Sequence, residues 1–223
     1  MTNKLKRDQL PARKAKNWRA SFQEEENHTF NLKVPKIFFK KSTYLALAGE
    51  NENRIRLYLG LDTEKKDGKY TLCVFAVSAF LMGSGDVYAD YETPVFKLTP
   101  QNEDYSNKLK EVLKSIKLYR QWRSGELDPD GPGADVRQYI YPNAYLMTKF
   151  ELHEIFVTQN SEEALIDFGI SKTMSAMVRP KRQKKANVLL KSASIAEDGE
   201  DDDSFNDMLP CPPACDPRSV FNP

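Results

Sequence analysis

The chain has 223 residues, 40% hydrophobic and 29% charged, with 33 bases nearly balanced by 32 acids. That length suits one domain with additions, or two small ones, and the near-neutral total excludes a polycation or an acidic disordered protein. No apolar run reaches the roughly 18 residues needed to span a bilayer, and three cysteines, an odd number, make no disulfide framework. The basic N-terminus is followed by no apolar stretch, so no secretory signal is expected. The chain reads as cytoplasmic, with no transmembrane segment.

Residues 1–20 carry seven bases against Asp8 alone. Like charges in one block repel and resist collapse, so residues 1–27 read as a basic N-terminal arm. The segment from Phe30 to Val34 alternates apolar and polar as a strand does. Pro35 breaks it, and the apolar positions from Ile37 to Ala48 fit a short helix loosely. Arg54 to Leu61 is the clearest strand: Ile55, Leu57, Leu59 and Leu61 share one face, and Arg54, Arg56 and Tyr58 the other. Lys69 to Val77 is a second strand, and Asp67-Gly68 between the two marks an antiparallel hairpin. This second strand is apolar on both faces and is expected to be the more central.

Gly83-Ser-Gly85 stops that run, and Val87 to Pro94 reads as extended. Thr99-Pro100 looks like a helix cap followed by a first-turn proline. Tyr105, Leu109, Val112, Leu113, Ile116, Tyr119 and Trp122 then recur at helical spacing, with an end near Gly125. Residues 126–133 form a loop, Gln138 to Tyr141 a brief strand, and Pro142-Asn143 the start of a second helix. Ser161-Glu-Glu has the acidic first turn of a third, ending near Gly169. Two strands followed by several helices predict an α+β fold: a small antiparallel sheet with helices packed on one face, plus flexible charged termini. The expected layout is a body over residues 28–170 and a tail over 171–223. That tail is basic over 170–191, with seven bases and no acid, then acidic over 192–223, with eight acids against Arg218.

No P-loop, dinucleotide fingerprint, nucleophile elbow or zincin motif occurs, so no catalytic residue, no metal site and no cofactor is expected. Glu151, His153 and Glu154 have half of a metal spacing that a solvated helix face also produces. Cys211-Pro-Pro-Ala-Cys215 is the most distinctive string. Two thiolates are half of a zinc site; a disulfide between them is geometrically possible but disfavoured in a reducing compartment. The preferred reading is a docking segment for a protein partner. Pro212 and Pro213 stiffen it as polyproline II, Phe205 and Leu209 anchor it, and Cys211 and Cys215 bound it. Arg179, Lys181, Arg182, Lys184 and Lys185 are candidate anion or nucleic-acid contacts, with Trp18 or Tyr119 available to stack on bases.

The strand pair Ile55-Arg-Leu-Tyr-Leu-Gly60 and Leu72-Cys-Val-Phe-Ala-Val77, together with the Cys211-Pro-Pro-Ala-Cys215 end, resembles a group of bacterial proteins. That group has an I-R-x-Y-x-G strand and a C-P-P-x-C terminus. The likeness covers residues 34–82 and 208–216 and implies no particular activity. The sequence therefore points first to a non-catalytic interaction or structural subunit of a larger assembly, working through its charged and proline-rich termini. A nucleic-acid-binding protein is second, and a metal-assisted enzyme third.

Overall fold

The computed structural model describes residues 8–28, 32–50, 53–65, 68–83, 87–127, 137, 140–170, 172–181, 204–206, 208–211 and 215–222. In chain order the elements are α1 (Ala12–His28), β1 (Leu32–Lys33), β2 (Ile37–Lys40), α2 (Lys41–Ala48), β3 (Arg54–Leu61) and β4 (Tyr70–Leu81). Then come β5 (Tyr88–Lys97), β6 (Glu103–Asp104), α3 (Leu109–Ser124), β7 (Ala144–Leu146) and α4 (Lys149–His153), with a wider turn over Glu154–Thr158. The last are β8 (Glu163–Ile170), β9 (Met174–Pro180) and β10 (Leu209–Cys211). The fold is α+β and mostly antiparallel, as the sequence predicts.

β3 and β4 pair antiparallel from Arg54↔Ala79 to Leu61↔Leu72. Both lie inside a seven-stranded sheet ordered β10-β7-β3-β4-β5-β6, with β1 joined parallel to β4. β4 is not the more central of the two, because β3 is buried on both faces as well. Ile55, Leu57, Leu59 and Leu61 meet Phe39, Ile166, Phe168 and Val178 of a second, three-stranded sheet, β2-β8-β9. On the other face Tyr58, Phe75, Val77 and Val95 meet Val112 and Ile116 of α3.

Helix α3 lies close over Gly60. A Cβ there would collide with the Ser115 hydroxyl and stand 3.2 Å from the Ser115 carbonyl carbon, so only glycine allows the approach. α3 ends where the sequence places its end, with Gly125 in the left-handed region at φ 84°. It begins later than Thr99-Pro100 suggests, after a single turn over Ser106–Lys108 whose first amide donates to Asp104 Oδ1 at 2.8 Å. Asn102 closes the free edge of β2 with its side chain. Lys40 N donates to Asn102 Oδ1 (2.9 Å), and Asn102 Nδ2 donates to the Phe38 carbonyl (2.8 Å).

Several expectations change. The segment after Ser161 is not a helix but β8. Ala164, Ile166 and Phe168 face the core while Leu165 and Asp167 do not, a period of two. The segment from Ile37 splits into a strand and a helix, and β7 precedes the helix expected at Pro142-Asn143. Of the brief strand expected at 138–141, residues 138 and 139 lie outside the described residues, and Tyr141 is not in a strand. The basic arm is also corrected. α1 packs on the outer side of β8, where Trp18 Cβ would lie 2.7 Å from a Cβ on Gly169 and Phe22 sits 5.7 Å from Phe168. Apolar Leu10, Ala15, Trp18 and Phe22 outweigh the repulsion of the bases around them. The early tail is likewise β9, paired with β8 along its length.

Candidate functional site

The segment expected to dock on a partner is docked on its own body. Phe205 is fully buried, and its backbone exchanges hydrogen bonds with Val178 of β9 (2.9 and 3.1 Å). On its other side Leu10 N donates to the Ser204 carbonyl (2.8 Å) and Asn206 N to that of Asp8 (3.0 Å). β10 then adds to the edge of β7, with Cys211 buried opposite Ala144 and Pro210 opposite Tyr145. Leu209 stays exposed. Cys211 and Cys215 are joined by a disulfide with Cα atoms 4.9 Å apart, the pairing the sequence disfavours. The reason is local: β10 and the residues from Cys215 onward are both held against the sheet, which fixes the two cysteines side by side. Disulfides persist mainly in oxidising surroundings, so the bond lends no support to a cytoplasmic location. Pro212 and Pro213 lie outside the described residues.

Beyond Cys215 the chain crosses the α3 face of the large sheet and closes over a buried polar network. Arg56, on the face of β3 opposite Leu57, is 1% exposed and forms an ion pair with Asp90 (2.6 Å) while donating to the Tyr88 carbonyl (3.1 Å). Tyr58 donates to the other oxygen of Asp90. Asp90 N donates to Asp216 Oδ2 (3.0 Å), the Tyr58 hydroxyl lies 3.2 Å from Ser219 Oγ, and the Phe221 ring rests on the Tyr58 ring with centroids 5.2 Å apart. Arg120 of α3 donates to the Phe221 carbonyl (2.9 Å) and to Asn222 (2.8 Å). Burial pushes the Asp90 carboxyl upward, and the Arg56 charge offsets that in part. Burial and the Asp90 charge push the Tyr58 hydroxyl upward too. The sequence signals that this face is covered, though not by what. A strand apolar on both faces implies a layer on each side, so its neighbour's arginine is covered as well.

A second polar group lies nearby. Buried Cys73 donates to Asp62 Oδ1 (2.9 Å), which also takes Lys97 Nζ (2.8 Å). Burial first, and this hydrogen bond second, push the thiol up to about 12. Each of these groups ties neighbouring strands together. Glu151 is buried beneath Thr148 in a capping box, Glu154 is buried beside Gln159, and His153 is exposed. They do not converge, and no group of three metal-ligating side chains occurs among the described residues.

The basic candidates fare differently. Arg179 and Lys181 are described; Arg182, Lys184 and Lys185 lie outside the described residues. Arg179 pairs with Asp167 at 2.5 Å, and Arg19 of α1 reaches the same carboxylate oxygen at 3.6 Å. The two basic blocks, far apart in sequence, thus meet on one face. Arg13, Lys14 and Lys16 are exposed on α1, and Lys172 is exposed at the β8–β9 turn. Tyr119, expected to stack on bases, is buried and donates to the Pro142 carbonyl (3.0 Å). Trp18 is half-buried, with Lys14 Nζ 4.7 Å from its ring centroid.

The sequence reading missed an apolar feature. β4 and β5 run past the end of β3 as a two-stranded hairpin, closed by Met82 N donating to the Val87 carbonyl (2.8 Å). Its signal was an apolar run longer than its pairing partner. No helix among the described residues is long and apolar enough to cross a membrane. Comparison with protein-family models, with curated proteins and with solved structures gives no match.

Proposed function

We propose that this protein is a non-catalytic interaction subunit of a larger assembly, binding an acidic protein surface through α1 and the β8–β9 hairpin. The observation that carries the reading is the convergence of the two basic blocks on one face. Arg19 and Arg179 share Asp167, Arg13, Lys14 and Lys16 are exposed on α1, and Lys172 is exposed at the β8–β9 turn. An excess of exposed bases on a fixed surface attracts and orients an acidic one. Further support comes from the buried acids and thiol, whose roles are accounted for by structural hydrogen bonds.

A second reading, nucleic-acid binding, is favoured by one detail: half-buried Trp18 lies beside the exposed cation of Lys14, an aromatic ring and a base side by side. The triple variant Arg13→Glu/Lys14→Glu/Lys16→Glu tests both. Its co-purified proteins are compared by mass spectrometry with those of the wild type, and both proteins are titrated with single-stranded DNA and RNA at several salt concentrations. Loss of a specific protein partner, without nucleic-acid binding by the wild type, is the expected result. Wild-type binding to the oligonucleotides with a steep salt slope, abolished in the variant, would establish the second reading. No change in either assay would refute both.

A further inference from the structure

We propose that the Cys211–Cys215 disulfide is a redox latch: reduced by a dithiol, it releases residues 215–222 from the α3 face of the large sheet while the rest of the chain stays folded. Its two ends are held differently. Cys211 lies in β10, in register with β7, and its carbonyl accepts from Asn143 N (2.9 Å). Cys215 heads a segment with no such pairing. Among the described residues, the backbone-to-backbone hydrogen bonds of this segment stay within it, from Ser219 N to the Asp216 carbonyl (3.2 Å) and from Asn222 N to that of Ser219 (2.9 Å). Side chains seat it on the body: Asp216 accepts from Asp90 N, Ser219 Oγ lies beside the Tyr58 hydroxyl, Phe221 rests on the Tyr58 ring, and Arg120 donates to the Phe221 carbonyl. The disulfide holds these groups beside their partners at a high effective concentration.

The bond acts locally. A cross-link stabilises a fold mainly by constraining the unfolded chain, and least where the loop it closes is short. These cysteines are 4 positions apart, so what the bond mainly secures is the seat of the segment behind it. The larger core does not depend on that seat, because Ile55, Leu57, Leu59 and Leu61 pack on the face of β3 opposite Tyr58 and Phe221. Opening the latch uncovers the Tyr58–Asp90–Arg56 network and takes the Phe221 carbonyl and Asn222 away from Arg120.

The chemistry balances with a dithiol as the reductant. Cys215 is half-buried and Cys211 is 1% exposed, so a thiolate of the reductant attacks the Cys215 sulfur. The S–S bond breaks, and Cys211 leaves and takes up a proton. The second thiol of the reductant then displaces Cys215, which is also protonated, and closes the reductant's own disulfide. Two electrons and two protons pass to the protein. Re-oxidation restores the same pair. Cys73 is buried in β4, three strands from β10 in the order β10-β7-β3-β4. That is roughly 14 Å at the usual spacing of strands, too far for a disulfide to Cys211.

This inference does not rest on the basic face, and its test leaves that face intact. The reporter is the Asp90 amide, whose acceptor is the Asp216 carboxylate. Amide hydrogen exchange of the full chain is followed by NMR in the oxidised state and after equilibration with dithiothreitol. Reduction should proceed without denaturant and speed exchange at Asp90 at least tenfold, leaving the paired amides of β3 and β4 unchanged. Oxidised glutathione should restore the slow exchange. Cys215→Ser should show fast exchange at Asp90 without reductant and still melt cooperatively. Unchanged exchange at Asp90 on reduction would overturn the proposal, because the segment would then hold without its latch. Loss of protection throughout β3 and β4, or a bond that dithiothreitol opens only in urea, would overturn it too, by making the disulfide a fixed structural staple.

Discussion

Arg56 shows at a single residue how the reading of a strand depends on what lies above it. Alternation in β3 puts it on the face opposite Leu57, as the structure has it, and that face is covered rather than solvated. What covers it comes from β5 and from the residues after Cys215, and nothing near Arg56 in sequence announces either. Removing one partner of a buried ion pair leaves the other uncompensated, so Arg56→Ala should cost about 3–5 kcal/mol in urea denaturation. Arg54→Ala, at a half-buried position over the Tyr88 ring, should cost about 1 kcal/mol or less. Equal losses would mean that Asp90 is not buried against Arg56. Cys73 gives a pH prediction. Its thiol is held up to about 12 in the folded chain, against an ordinary value of 9.0. In that window the unfolded chain loses the proton and the folded chain keeps it, so this contribution to stability is complete below about 9 and lost as pH rises toward 12. The alkaline loss of stability should therefore be shallower in Cys73→Ala than in the wild type, and the thiol should react with iodoacetamide at pH 9 only on unfolding.

Elements with strong periodicity were legible; elements decided by distant partners were not. β3 lies where its alternation puts it, and α3 ends at its glycine. β8 was misread because Ser161-Glu-Glu has the chemistry of a helix start. In the fold Ser161 Oγ donates to the Glu163 carbonyl (2.7 Å) and Glu163 pairs with Lys181 (2.6 Å), so the same residues serve a strand. The pairing with β2 and β9 that decides the matter lies in other parts of the chain. The candidate basic face was half legible. Its charges could be counted, but their meeting depends on α1 crossing β8. Close approach of elements is testable at Gly60. Gly60→Ala pushes a methyl into the Ser115 hydroxyl and within 2.9 Å of the Phe75 ring, and should cost about 1–3 kcal/mol. Ser115→Ala in the same chain removes the nearest clash along with its bond to the Leu61 carbonyl. The double variant should therefore lose less than the two single losses combined. Strict additivity would show that β3 and α3 are further apart than described.

At the scale of the molecule, the ends complete the fold. The layout expected from charge was a body over residues 28–170 with two solvated segments. That division cuts through the small sheet, leaving β2 and β8 without β9 and without α1 above them. It also strips the edge strand β10 from β7 and the Phe221 ring from Tyr58. The charge blocks misled because a few apolar side chains among many bases suffice to seat a helix or a strand. The loss can be weighed. Phe22, Met174, Val178, Phe205, Met208 and Phe221 are all buried and all fall outside residues 28–170. At about 1.5–3 kcal/mol each, their burial contributes on the order of 10–20 kcal/mol, against a total stability of about 5–15 kcal/mol for an ordinary domain. A fragment of residues 28–170 should therefore fail to fold: weak near-ultraviolet circular dichroism, no cooperative melt and collapsed amide dispersion in NMR, beside a full chain that shows all three. Removing only residues 215–223 is a milder change that uncovers Tyr58 and takes away two acceptors of Arg120; it should lower the melting temperature while leaving a cooperative transition. If the 28–170 fragment melts cooperatively near the temperature of the full chain, the terminal segments are ornaments on an independent body and the packing described for α1, β9 and Phe205 is wrong.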